Sequence, residues 1–103
     1  MIARLWSARA TPAHAPAYVD HLTTHVLPTT RAVAGYAGAM LLEREQGDEV
    51  ELLVITVWES LDAIQGFAGA DIESAVVADD AAAVLSEFDA RVRHYELAVR
   101  DGF

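Results

Sequence analysis

The spacing of apolar residues changes along this chain from about two to about four and back, and each change marks an element. Ile2 to Ala8 is apolar with interruptions and reads as a first strand. Thr11-Pro12 then opens a helix, with a hydroxyl cap and a proline at the first helical position. The pattern predicts a helix from about Pro12 to Leu27, stopped by Pro28. Ala15, Tyr18, Leu22 and Val26 form its apolar face. A turn at Gly35–Gly38 leads to a strand over Ala39–Glu45, a short connection at Gln46–Glu49 and a third strand over Val50–Trp58. Ser60 caps a short helix that carries Leu61, Ile64 and Phe67 on one side. Gly69 interrupts it, and Asp71 is placed to cap a continuation through Val77. Asp80 to Phe88 reads as another helical piece, and Arg91 to Val99 as the last strand.

The third strand decides the architecture. Leu52-Leu53-Val54-Ile55-Thr56-Val57-Trp58 does not alternate apolar with polar, so both of its faces should be covered. The order is β-α-β-β-α-β, and two helical layers cannot cover both faces of one four-stranded sheet. An uncovered apolar face is rare on a soluble monomer. The pattern therefore predicts an α+β sandwich that pairs sheet against sheet as a homodimer.

Composition narrows the function classes. A chain of 103 residues with 53% hydrophobic content forms one domain, residues 1–103, with an ample core. The absence of cysteine excludes disulfides, thiolate nucleophiles and cysteine-bound metal. Lysine and asparagine are absent as well. The net charge of −9 and the scattered arginines argue against nucleic-acid or anionic-membrane partners. The opening Met1–Trp6 is too short for a signal-peptide core, and no apolar run approaches the ~20 residues of a membrane span. A cytoplasmic location is the default expectation.

Candidate chemistry lies in histidines and aromatics. His14, Tyr18, His21 and His25 fall on one helical stripe, and His21 and His25 have the spacing that lets two imidazoles share a metal. No glutamate follows His21 as in zinc proteases, so no metal site is expected. His25 borders the apolar face and is the member expected to reach a pocket, where a neutral imidazole accepts a proton. His94 shares one face of the last strand with Val92 and Glu96, and Tyr95, Leu97 and Val99 take the other; periodicity does not say which face meets the helices. Trp58 and Phe67 offer aromatic walls.

The Val57-Trp58-Glu59-Ser60 junction, Phe67 nine residues after Trp58, the closing His94-Tyr95-Glu96 strand and the element order together resemble the antibiotic biosynthesis monooxygenase family, over roughly residues 1–100. The resemblance implies a ferredoxin-like sandwich that forms a dimeric α/β barrel, with a pocket between helices and sheet in each subunit. It implies a monooxygenase or related tailoring enzyme, without metal or organic cofactor, acting on a small aromatic or polyketide-like compound. On that reading His25 and His94 are the candidate bases, and Trp58, Phe67, Tyr18 and Leu22 bind substrate. The family's haem-degrading members use an asparagine on the first strand, a tryptophan on the second helix and a histidine ten residues later. This chain has no asparagine, and Phe67 and Val77 stand at the other two positions, which disfavours haem degradation by that route. A non-catalytic dimer that binds a hydrophobic ligand, and an oxygen-independent isomerase or cyclase, are the alternatives.

Overall fold

The computed structural model describes residues 1–103. Its order is β1 (Ile2–Ala10), α1 (Ala15–His21), a π-helical turn (Leu22–Val26), α2 (Leu27–Arg31), β2 (Tyr36–Gln46), β3 (Glu49–Trp58), α3 (Leu61–Ala68), α4 (Asp79–Val84), β4 (Glu87–Phe88) and β5 (Arg93–Glu96). All pairings are antiparallel, in the order β2-β3-β1, and β4 and β5 lie in turn along the far side of β1. This is the ferredoxin-like α+β arrangement that the β-α-β-β-α-β order predicts.

The two faces of the sheet differ sharply. Even-numbered residues of β1 and β3 face the helices: Arg4, Trp6, Ala8 and Ala10 pair across with Thr56, Val54, Leu52 and Val50. All but Val50 are buried. Odd-numbered residues face the other side, where no helix covers them and only the C-terminal segment from Leu97 to Phe103 approaches, beside Met40 and Val57. There Met40, Leu42 and Tyr95 are 41%, 46% and 52% exposed. The apolar third strand thus has one covered face and one bare face.

The helical arm between β1 and β2 runs beyond its expected end at Pro28. Pro28 has no N–H and crowds the carbonyl four residues earlier in an α-helix. The five-residue π turn before it widens the helix and relieves that conflict. Hydroxyls occupy carbonyls along the same stretch: Thr29 donates to the His25 carbonyl at 3.0 Å, and Thr23 to that of Val19 at 3.0 Å. The arm ends at Gly35, whose positive φ of 90° and close approach to α3 exclude a side chain. A Cβ there would meet Ala63 Cβ at 2.5 Å.

Helix α3 starts as Ser60 predicts, with its Oγ accepting from the Ala63 N–H at 3.1 Å. Gly69 ends it at a positive φ of 84°, which favours glycine. The expected continuation from Asp71 to Val77 is not helical. Its backbone pairs with the strand region beyond α4 instead: Ala75 N–H donates to Ala90 O at 2.9 Å, and Val92 N–H to Glu73 O at 2.8 Å. The Arg4 side chain takes the carbonyls of Ile72 and Ser74, which a helix would use internally. The piece expected over Asp80–Phe88 ends as a helix at Val84, because Ser86 N–H bonds Arg9 O at 2.8 Å and Glu87–Phe88 join β1. The last strand is accordingly shorter than Arg91–Val99. Two extra residues separate its two pairings with β1, and Trp6 Nε1 donates to the Asp89 carbonyl there at 2.8 Å.

Candidate active site

The site is a cavity of about 50 Å³ between the helical arm and the covered face of the sheet. Its floor is Arg4 and Trp6 from β1, Val54 and Thr56 from β3, and Val92. Tyr18, His21, Leu22, Val26 and Thr30 descend from the arm, and Phe67 comes from α3. Val76, Val77 and Ala81 close the remaining side. The π turn starts immediately after His21 and resets which residues face inward.

A polar row crosses the apolar floor. Thr56, Arg4 and His94 are direct neighbours across β3, β1 and β5. Arg4 is 4% exposed and donates through Nη1 to His94 Nε2 at 3.0 Å. A guanidinium has no acceptor, so Nε2 must accept and the His94 proton sits on Nδ1. Burial first, then the Arg4 charge, hold the His94 pKa below its ordinary value, while Glu73 pulls the other way. The imidazole is therefore neutral near pH 7. Burial also lowers the Arg4 pKa, although a guanidinium stays charged. Phe67 covers this cation, with its ring centroid 5.8 Å from Cζ. At the other end of the row, Thr56 Oγ1 accepts from Trp58 Nε1 at 2.9 Å. Burial raises the Tyr18 pKa, so its phenol stays protonated.

Four of the expected site residues adjoin this cavity. Tyr18, Leu22 and Phe67 line it, and His94 stands behind Arg4 on the helix-facing side, which answers the question the strand period left open. Trp58 is fully buried one step away, stacked on Phe67 with centroids 5.6 Å apart, and meets the cavity through Phe67 and Thr56. His25 is exposed and does not line the cavity; His21 does, although α-helical spacing put it further out. The π turn breaks the α-helical phase between Leu22 and Val26, which accounts for His25; His21 precedes it, in α1 beside Tyr18 and Leu22. His21 also lies 3.7 Å from the Asp80 carboxylate of α4. No group of three or more histidine or acidic side chains converges as a metal site.

Arg4, Thr56 and Trp6 are members of the site that the sequence reading did not single out, and His21 was singled out only on the helical stripe with His25. For Arg4 and Thr56 the signal was present: each is a polar residue in phase with the buried, apolar positions of its strand.

The fold and cavity define a class, a ferredoxin-like α+β domain with a pocket between helices and sheet. The chain belongs to the antibiotic biosynthesis monooxygenase family, whose profile matches residues 1–79. The match ends before β5, so His94 lies outside it. Solved structures share the fold along the whole chain. One is the haem degrader MhuD of Mycobacterium tuberculosis with two haems bound, at 22% identity and a TM-score of 0.63, covering 99% of this chain and 100% of that one. Another is the ActVA-Orf6 monooxygenase of Streptomyces coelicolor with nanaomycin D, at 20% identity and a TM-score of 0.63, covering 99% and 89%. A third, from Nitrosomonas europaea, has no known function, at 20% identity and a TM-score of 0.65, covering 97% and 91%. No curated protein matches the chain.

The residues present do not fit the haem-degrading pattern: Val77, and not an imidazole, stands ten residues after Phe67.

Proposed function

We propose that this chain is a monooxygenase-type enzyme that acts, without a resident metal or organic cofactor, on a small flat aromatic or polyketide-like compound. The observation that carries the reading is the apolar cavity crossed by one polar row, Thr56-Arg4-His94. Family membership and the likeness to ActVA-Orf6 and MhuD, which bind nanaomycin D and haem, support it.

On this reading Tyr18, Leu22 and Phe67 hold the ring, and Trp58 backs Phe67. His94, neutral and partly sheltered behind Arg4, accepts a proton as the substrate ionises once its Nε2 is released from the Arg4 Nη1–H, which then turns to the substrate anion. The resulting electron-rich anion reduces dioxygen, the two combine as a hydroperoxide, and water leaves as a carbonyl forms. The substrate supplies the electrons, so the protein has only to bind, deprotonate and stabilise. The cavity is below the roughly 300–1,000 Å³ of common ligand pockets. A ring therefore enters by displacing the non-helical segment at Val76 and Val77. The bare sheet face gives the second part of the proposal: it covers itself by forming a homodimer.

Oxygen uptake with anthrones and hydroquinones, in the presence of a chelator, tests the activity. We expect oxygen consumption that matches quinone formation, and a drop of at least about 100-fold in kcat for His94→Gln. Turnover without oxygen consumption would instead assign an isomerase or cyclase. Binding with no turnover across the panel would assign a ligand-binding protein.

A further inference from the structure

Arg4 is the one buried arginine of the seven; the other six are exposed. Arg9, Arg44 and Arg91 each pair with carboxylates, and Arg4 pairs with none. No aspartate or glutamate lines the cavity, so its wall carries one formal charge, positive and uncompensated. An isolated buried charge is costly, and its neighbours meet only part of its demand. Of the five N–H groups of a guanidinium, three go to Ile72 O, Ser74 O and His94 Nε2. The Nε–H and one Nη2–H have no protein acceptor. The side chain is therefore held in place by its outer donors while two donors are unspent. Beside it Thr56 Oγ1 accepts from Trp58, which leaves the hydroxyl hydrogen free as well. The floor thus presents donors and a positive charge under an aromatic lining.

We propose that this cavity is a receptor for an aromatic anion, with the anionic oxygen of a ring phenolate, enolate or carboxylate seated against Arg4 and Thr56. The inference rests on reading the cavity as a substrate site, and it specifies the ionisation state that the site selects. A protein of net charge −9 repels anions at long range, so selection for one must come from this local cation. Arg4 makes the anion a better guest than its neutral isostere. It also lowers the pKa of a phenolic or enolisable guest, which favours loss of the guest's proton.

Calorimetric titration with benzoate against benzamide, and 2-naphthoate against 2-naphthamide, tests this without any turnover. We expect each acid to bind at least about tenfold more tightly than its amide, and Arg4→Gln to erase the preference. Arg4 also holds two backbone carbonyls, so that variant can fail to fold. NMR titration of His94 in the unaltered protein gives an independent reading. A bound carboxylate neutralises Arg4 and raises the His94 pKa, whereas a bound amide leaves it in place. Equal binding of acid and amide, binding of neither acid, or an unmoved His94 with acid bound would each overturn the proposal. Selective anion binding without oxygen uptake would leave this inference standing and remove the oxygenase reading. Oxygen uptake without anion selectivity would do the reverse.

Discussion

Replacing Trp58 with phenylalanine tests how the core supports the cavity. Trp58 has no exposed surface. Its ring stacks on Phe67 at 5.6 Å and 25°, meets Tyr36 edge-on at 5.4 Å and 73°, and donates to Thr56 at 2.9 Å. Phenylalanine keeps a benzene ring and deletes roughly two carbons and the N–H. The carbons account for about 1.6 kcal/mol at ~0.8 kcal/mol per buried methylene. The hydrogen bond adds about 1 kcal/mol, for a total near 2.5 kcal/mol. For a domain of this size Tm should fall by about 10–20 °C. Urea unfolding followed by circular dichroism, with Trp6 fluorescence as a second probe, measures it. Thr56→Val is the companion variant, since it strands the indole N–H without an acceptor at a cost of about 1–3 kcal/mol. In the double variant that orphan is gone, so the combined loss should fall short of the sum by about 1 kcal/mol. A single-variant loss below about 0.5 kcal/mol at unchanged m value, or strictly additive losses, would refute the argument.

Other predictions follow from the same geometry. Leu42→Glu on the bare sheet face should convert a dimer to a monomer in light scattering at micromolar concentration; a wild-type monomer would contradict the homodimer. Because burial and Arg4 lower the His94 pKa, the unfolded chain takes up a proton at higher pH than the folded one. Stability should therefore fall as pH drops below about 6.5 and level off once folded His94 also protonates. His94→Gln should flatten that part of a urea-midpoint profile, and an unchanged profile would assign the slope to other groups. Gly35→Ala should cost at least about 2 kcal/mol, because it adds both backbone strain and overpacking. The new Cβ falls 2.5 Å from Ala63 Cβ at a φ of 90°. A melting temperature within a degree or two of the parent would show that the α2–β2 turn relaxes freely.

The order of elements was legible because most of its signals are local. Ser60 marks the start of α3, Gly69 its end, and the apolar run of β3 a central strand of the sheet. What sequence reading missed depends on partners distant along the chain. Asp71–Val77 has helix-compatible residues, yet its backbone groups are claimed by Arg4 and by residues 90–92. Ser86–Phe88 is drawn out of a helix by the open edge of β1. Pro28 signals a helix end in an α-helical frame, and only a π turn makes it tolerable. That same turn shifts the helical phase at His25. Trp58 and Phe67 were legible as neighbours from their spacing, but that Trp58 lies one layer behind the wall depends on tertiary packing. Arg4 is the instructive omission, since a charge in phase with apolar positions is itself a signal.

The cavity floor and the bare outer face are two sides of the same strands, one backbone apart. Thr56 faces inward, and Ile55 and Val57 beside it face outward. Were a second copy to seat on the outer face with a change in sheet twist, the donors beneath a guest would shift with it. Self-association and guest affinity would then be thermodynamically linked, each moved by the other to the same degree. In that case the concentration of the protein itself enters its binding isotherm, and a dilution series at fixed ligand reads the strength of the link.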